Sequence, residues 1–117
     1  MIAIEEAGDL LKVSVYGELA LADYRRLERA VLGELRHRPQ VKLLLDLRAM
    51  TGYTVDVAWE ELKFTRAHPH DFRRIAVITS REWASWLTWV AAAFSDAEVV
   101  LFEDPAAAEA WIAQPAP

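Results

Sequence analysis

The sequence contains no cysteine, which excludes disulfide bonds, thiolate metal ligands and a cysteine nucleophile. It has only four glycines, all isolated, so neither the G-x-G-x-x-G dinucleotide motif nor a Walker phosphate loop is present. No apolar run approaches the roughly 20 residues that a membrane-spanning helix needs. These absences favour a protein without disulfide cross-links, without a nucleotide-binding loop and without stable membrane insertion.

Basic residues are also in the minority, because 13 Lys and Arg stand against 18 Asp and Glu, for a net charge of −5. The summed field repels phosphate backbones and anionic lipid, so nucleic acid is not an expected partner. A chain of 117 residues predicts a single domain over residues 1–117, with a core of its own. The first six residues show no basic leader. We therefore expect a soluble, cytoplasmic protein.

The strongest structural signal is the run of residues 41–47, which is apolar except at Lys42 and Asp46. Such a run predicts a strand buried on both faces, as at the centre of an α/β domain. A turn around Gly52 and a helix beginning at Thr54 are predicted to follow. Because ligands and partners of open α/β sheets meet the carboxyl ends of the strands, residues 46–54 are the first predicted recognition site.

The flanking patterns complete an α/β order. Residues 1–6 and 10–16 alternate as a hairpin would, with Gly17 closing the second strand, and residues 21–38 repeat apolar positions at helical spacing. Short strands are predicted at residues 75–78 and 98–102, and helices at 54–67, 81–94 and 106–113, the last capped by Asp104 before Pro105. The predicted order is ββαβαβαβα: four helices and a five-stranded, mostly parallel sheet with an antiparallel edge.

A series of short signatures occurs along the chain in a set order. They are Gly17-Glu-Leu, Asp23-Tyr24, the Leu43 to Leu47 run, Gly52 with Thr54, Trp59, Lys63-Phe64, the segment 70–77, Trp83 with Trp86, Phe102 and Ala110-Trp111. Together they resemble the bacterial SpoIIAA-like, or STAS-type, domains over nearly the whole chain. The resemblance implies a (βα) superhelix in which neighbouring strands are consecutive and the helices lie largely on one side.

The resemblance also implies a switch. In relatives that act as anti-sigma-factor antagonists, a serine at the start of the helix after the third strand is phosphorylated, which changes binding to an anti-sigma kinase. The matching region here, residues 46–54, has no serine and offers the hydroxyls of Thr51 and Thr54. From the residues themselves, Thr54 also fits a helix cap, worth about 1 kcal/mol, or one edge of an anion site at a helix N-terminus.

Catalytic and metal signals are weak. Ser80, Ser85 and Ser95 lie outside any nucleophile-elbow motif, so we predict no catalytic residue and no enzyme activity. The segment from His68 to Asp71 offers three possible ligands, fewer than a closed metal site needs, and predicts a polar connection instead. We expect no metal and no cofactor.

Tryptophan is the strongest positive signal. Trp86, Trp89 and Ala93 widen the apolar arc of the helix predicted at residues 81–94 to roughly 200°, beyond the ~100° that packing on a sheet requires. The extra surface needs a cover, and four remain open: another helix of the chain through Trp59, a second subunit, an apolar ligand or, least favoured, a membrane interface.

The sequence therefore predicts a non-enzymatic, regulatory domain that acts through protein–protein interaction, and a homodimer through its apolar helix surface. The predicted partner or ligand surface consists of Met50, Thr51, Gly52, Tyr53, Thr54 and Trp59. The alternative is a carrier or sensor of a small, apolar, lipid-like ligand, which a distant similarity of fold to the CRAL-TRIO carriers also suggests.

Overall fold

A computed structural model describes residues 1–54, 56, 72–79 and 98–114. Its strands are β1 (Ile2–Ala7), β2 (Leu10–Leu19), β3 (Val41–Tyr53), β4 (Phe72–Ile78) and β5 (Glu98–Phe102). Its helices in these ranges are α1 (Leu21–Leu35), between β2 and β3, and α2 (Pro105–Ile112), after β5.

The five strands form one sheet in the order β1-β2-β3-β4-β5. β1 runs antiparallel to β2, and every other neighbouring pair is parallel, so the predicted mixed, mostly parallel sheet with an N-terminal hairpin is confirmed. The described elements follow the order ββαβββα with two helices, which differs from the predicted ββαβαβαβα with four. The two further predicted helices fall almost entirely on residues outside the described ranges.

β2 is longer than predicted, because Gly17 does not close it. The strand continues to Leu19, and Gly17 adopts a φ of +70° within it. The register between β2 and β3 shifts between Gly17 and Glu18. A left-handed glycine lets a strand kink as a bulge and then resume its pairing.

β3 is also longer than predicted and runs through the expected turn. It continues from Leu47 to Tyr53, pairing Ala49 with Tyr16 and Tyr53 with Leu19. Gly52 lies within the strand, without a positive φ. Pairing with the extended part of β2 satisfies the backbone here, which overrides the turn signal of the local residue types.

The sheet is buried on both faces at its centre, as predicted for residues 41–47. Val41, Leu43 and Leu47 pack with α1 in one core cluster, while Leu44 packs with α2 in a second. The two described helices therefore cover opposite faces, whereas the family resemblance implies helices largely on one side. α1 ends at Leu35, three residues earlier than predicted.

The C-terminal helix is held as its sequence predicts. Asp104 accepts a hydrogen bond from the backbone N–H of Ala106 at 3.1 Å, and Pro105 occupies the first helical position. Ala108 and Ile112 are fully buried against the sheet. No helix in the described ranges is long and apolar enough to cross a membrane.

Candidate functional site

β2 and β3 extend past the carboxyl end of β4. The last pair between β3 and β4 is Asp46 with Ile78, whereas β3 stays paired with β2 as far as Tyr53. The paired residues 16–19 and 49–53 are called the strand extension below. The residues predicted from sequence as a recognition loop thus lie on paired strand, at the sheet edge where α/β proteins place their ligands and partners.

The predicted recognition residues differ in how accessible they are. Met50 is only 5% exposed and packs in the core cluster that includes α1, so it supports the strand extension from below and is not on its surface. Thr51 is exposed, while Gly52, Tyr53 and Thr54 are half-buried. Of this group, Thr51 is the side chain most available to a partner.

Thr51 occupies a bulge. Gly17 pairs with Met50 and Glu18 pairs with Gly52, which leaves Thr51 as the extra residue of β3. Bulges disrupt the pairing locally and redirect a side chain, and they are frequent beside functional sites. The effect of the bulge here is to present one hydroxyl to solvent at the end of the paired strands β2 and β3.

Thr54 is held differently. Its backbone N–H donates to the carbonyl of Leu19 at 3.1 Å, which closes the strand extension. Its side-chain oxygen is enclosed and has no hydrogen-bond partner among the described residues. Asp56 is helical, but the remainder of the helix that Thr54 is predicted to cap lies outside the described ranges.

Asp46 orients Arg48 just before the strand extension. Asp46 accepts from the Arg48 backbone N–H at 3.1 Å and from Nε and Nη2 of its guanidinium at 3.0 Å and 2.6 Å. The side-chain hydrogen bond from Arg48 holds the pKa of the Asp46 carboxyl below its usual value, and Asp46 in turn raises the pKa of Arg48. Asp46 is thus ionised and occupied as a positioning group for Arg48.

A cavity of about 390 Å³ lies beside this pair, on the face of the sheet that carries α2. Its walls include Lys12, Tyr16, Arg48 and Glu109, and Lys12 Nζ lies 3.4 Å from Glu109 Oε1. Sequence reasoning did not find the cavity. The cavity depends on β1, β2, β3 and α2 meeting, and no local pattern reports that. Its charged walls do not suit an apolar ligand.

Several predicted site residues lie outside the described residues: Trp59, Trp86, Trp89, Ala93, His68, His70 and Asp71. Their assignments as apolar or polar surface stay predictions. Within the described ranges, no group of three or more His, Cys, Asp or Glu side chains is placed to hold a metal ion.

Comparison with known proteins relates this arrangement to others. A family model described as SpoIIAA-like matches residues 10–113. An uncharacterised protein of the DUF3478 family with a SpoIIAA-like fold, from Shewanella loihica PV-4, is 30% identical and superposes with a TM-score of 0.75, covering 96% of this chain and 92% of its own.

A more distant solved structure has the same fold. An anti-sigma factor antagonist from Mycobacterium paratuberculosis is 17% identical, with a TM-score of 0.59, covering 97% of this chain and 94% of its own. At that identity the likeness concerns the fold alone. No curated protein matches the chain.

Proposed function

Because this chain belongs to the SpoIIAA-like family, we propose that it is a non-enzymatic regulatory domain that acts by binding a partner protein. The proposed partner surface is the strand extension together with the adjoining Thr54: Thr51, Gly52, Tyr53 and Thr54 lie at or near the surface, and Met50 supports them from the core. The observation that carries the proposal is the exposed, bulged Thr51 at the carboxyl end of the sheet. The mycobacterial structure, described as an anti-sigma factor antagonist, adds an analogy of fold.

Phosphorylation of Thr51 is the proposed form of regulation. Thr51 presents its side chain to solvent, whereas the Thr54 hydroxyl is enclosed. A phosphate adds roughly −1.5 to −2 charge at neutral pH, which repels or recruits a partner according to the partner's own charge. Of the two predicted acceptors, Thr51 is therefore preferred over Thr54.

Thr51→Arg tests the proposed surface. The wild-type protein, Thr51→Arg and Ala110→Arg are immobilised, and proteins retained from a lysate of the native cell are quantified by mass spectrometry. Ala110 is an exposed residue of α2, so its substitution adds the same charge away from the strand extension. We expect a specific partner to be retained by the wild type and Ala110→Arg and reduced about tenfold by Thr51→Arg, as for a central interface residue.

Equal retention by Thr51→Arg and Ala110→Arg contradicts the proposed surface. Thr51→Glu in the same experiment mimics part of the phosphate charge, and retention identical to that of the wild type argues against a phosphorylation switch. Circular dichroism of each variant separates loss of binding from loss of folding.

Other predictions extend the proposal. We propose that residues 1–117 form one cytoplasmic domain with the four-helix order, that Trp59 borders the partner surface, and that no cofactor or metal takes part.

The 18 residues between β3 and β4 and the 19 between β4 and β5 are long enough for the crossovers that parallel strands require. The alternative, a carrier of a lipid-like ligand between the Trp59 helix and the helix at residues 81–94, stays a prediction.

A further inference from the structure

Three arginines and one leucine form a line along the outer side of α1. They are Arg25, Arg29, Leu32 and Arg36, separated by four, three and four residues. At 100° per residue their positions fall within about 60° of the helix circumference, over roughly 16 Å of its length. All four are exposed, with Leu32 at 41%, and the helical backbone continues through Arg36 at the C-cap. This set is called the arginine row.

The three arginines have no role in holding the described part of the fold together. None of them forms an ion pair or a side-chain hydrogen bond with another described residue. The neighbouring arginines do form such contacts: Arg38 Nε lies 3.0 Å from Glu34 Oε2, and Arg26 Nη1 donates to the carbonyl of Ile2 at 3.4 Å. The arginine row is therefore set apart from the structural cations beside it.

The arginine row also lowers the stability of α1. Arg25 and Arg29 are four residues apart, a spacing at which like charges destabilise a helix. Of the three acidic side chains of α1, Asp23 and Glu34 are engaged by the N-terminal ammonium group and by Arg38, and Glu28 has an interaction of its own. Within the part of the chain that the structure describes, three cations without a carboxylate partner thus face water, on a protein whose net charge is −5.

We propose that the arginine row binds an acidic segment of a partner protein, with carboxylates meeting the three guanidiniums and an apolar side chain covering Leu32. Arginine pairs with carboxylate through two parallel hydrogen bonds, and an exposed leucine between the charges supplies apolar contact. The length of the row matches about three turns of a helix or a short extended segment.

Charge decides between an acidic protein segment and other polyanions. Nucleic acid and anionic membrane carry extended charge that the −5 of the whole chain repels. A short acidic segment contacts the row alone, and screening over a Debye length of about 8 Å at physiological salt hides much of the remaining field. The proposal goes beyond the proposed function, because the arginine row and the strand extension share no residue and each is tested by its own variants.

Charge removal on the row tests the proposal. The probe is a fluorescein-labelled helical peptide whose glutamates and single leucine match the spacing of the row, compared with a peptide in which glutamine replaces glutamate. Binding is followed by fluorescence anisotropy at about 0.05 M and 0.2 M salt. We expect the triple variant Arg25→Gln, Arg29→Gln, Arg36→Gln to bind the acidic peptide about tenfold more weakly than the wild type, the product of three exposed charge contacts.

A triple substitution on α2 is the matched control. Ala106→Glu, Ala107→Glu and Ala110→Glu lie at exposed positions and shift the net charge by the same three units. This control should bind the acidic peptide nearly as the wild type does, because the row is intact. Leu32→Ser should weaken binding about threefold through lost apolar contact, with the salt dependence unchanged.

Four outcomes overturn the proposal: no binding of the acidic peptide by the wild type, equal binding by the arginine variant and the α2 control, equal binding of the glutamine peptide, or tighter row-dependent binding of duplex DNA or phosphatidylserine vesicles. The arginine variant removes a like-charge pair, so it should melt at or above the temperature of the wild type. A folded variant with normal peptide affinity therefore counts directly against the row.

Discussion

Arg74 is a charged side chain, 7% exposed, between β4 and α2. Its Nη1 donates to the carbonyl of Gln114 at 3.0 Å, its Nε lies 3.5 Å from Glu98 Oε2, and its guanidinium lies 5.4 Å from the centroid of the Trp111 ring. A charge this buried is tolerated only where such partners replace its water. At the scale of single residues, Arg74 therefore attaches the end of α2 to the sheet.

Arg74→Ala should lower the free energy of unfolding by about 2 kcal/mol. The variant loses the packing of the aliphatic part of the side chain, the contact with the Trp111 ring and the hydrogen bond to Gln114. Urea denaturation measures the change. Arg73→Ala is the adjacent control, since Arg73 is half-buried and makes none of these contacts. Equal losses for the two variants would contradict the assigned role of Arg74.

α2 is the element that depends most on its ends. It has eight residues, too few to be stable alone, and is held by the buried Ala108 and Ile112, by Asp104 at its start and by Lys42, whose Nζ donates to the carbonyl of Ile112 at 3.1 Å. Asp104→Ala should cost about 1 kcal/mol of unfolding free energy, because the Ala106 N–H loses its acceptor.

Asp104→Asn separates the cap from other effects of substitution at this position. The amide oxygen of asparagine is an equally good cap, so this variant should stay within about 0.3 kcal/mol of the wild type in the same denaturation experiment. If the alanine and asparagine variants are equally stable, the Asp104 side chain does not stabilise α2 as a cap.

At the scale of the whole molecule, the apolar arc that the sequence predicts through Trp86, Trp89 and Ala93 needs a cover. We predict a homodimer through this surface, because large apolar arcs on a helix are rarely left in water. Light scattering at micromolar concentration should give twice the mass of the chain, and Trp86→Glu with Trp89→Glu should return it to a monomer. Tyr16→Glu, at a 44% exposed aromatic elsewhere, should leave the dimer intact. A monomeric wild-type protein would refute the prediction.

Local pattern was sufficient for much of the fold. The predicted bounds of β5 agree with the structure, the Asp104 cap is confirmed, and Tyr24 and Val31 are buried on the predicted stripe of α1. Each of these three features depends on side-chain periodicity or on a hydrogen bond between residues close in the chain. Such features are encoded in the residues that form them.

The candidate site was only partly predictable. The position of residues 50–54 at the carboxyl end of the central strand followed from the apolar run at 41–47. The burial of Met50, the bulge at Thr51 and the strand conformation of Gly52 did not follow, because the partner strand decides them. Gly17 was predicted to end β2, but an isolated glycine in an alternating run also indicates a bulge, which is what the structure shows.

The sequence by itself determined an α/β order of strands and helices, because strand and helix periodicity and the capping residues act over a few neighbours, and its ordered signatures carried the resemblance to the SpoIIAA-like family. Tertiary structure alone decided how far β2 and β3 run together, which of two threonines faces solvent, and that Lys12, Arg48 and Glu109 meet around a cavity. The physical reason is distance along the chain: backbone pairing between strands and contact between elements join residues tens of positions apart, and no local pattern records those partners.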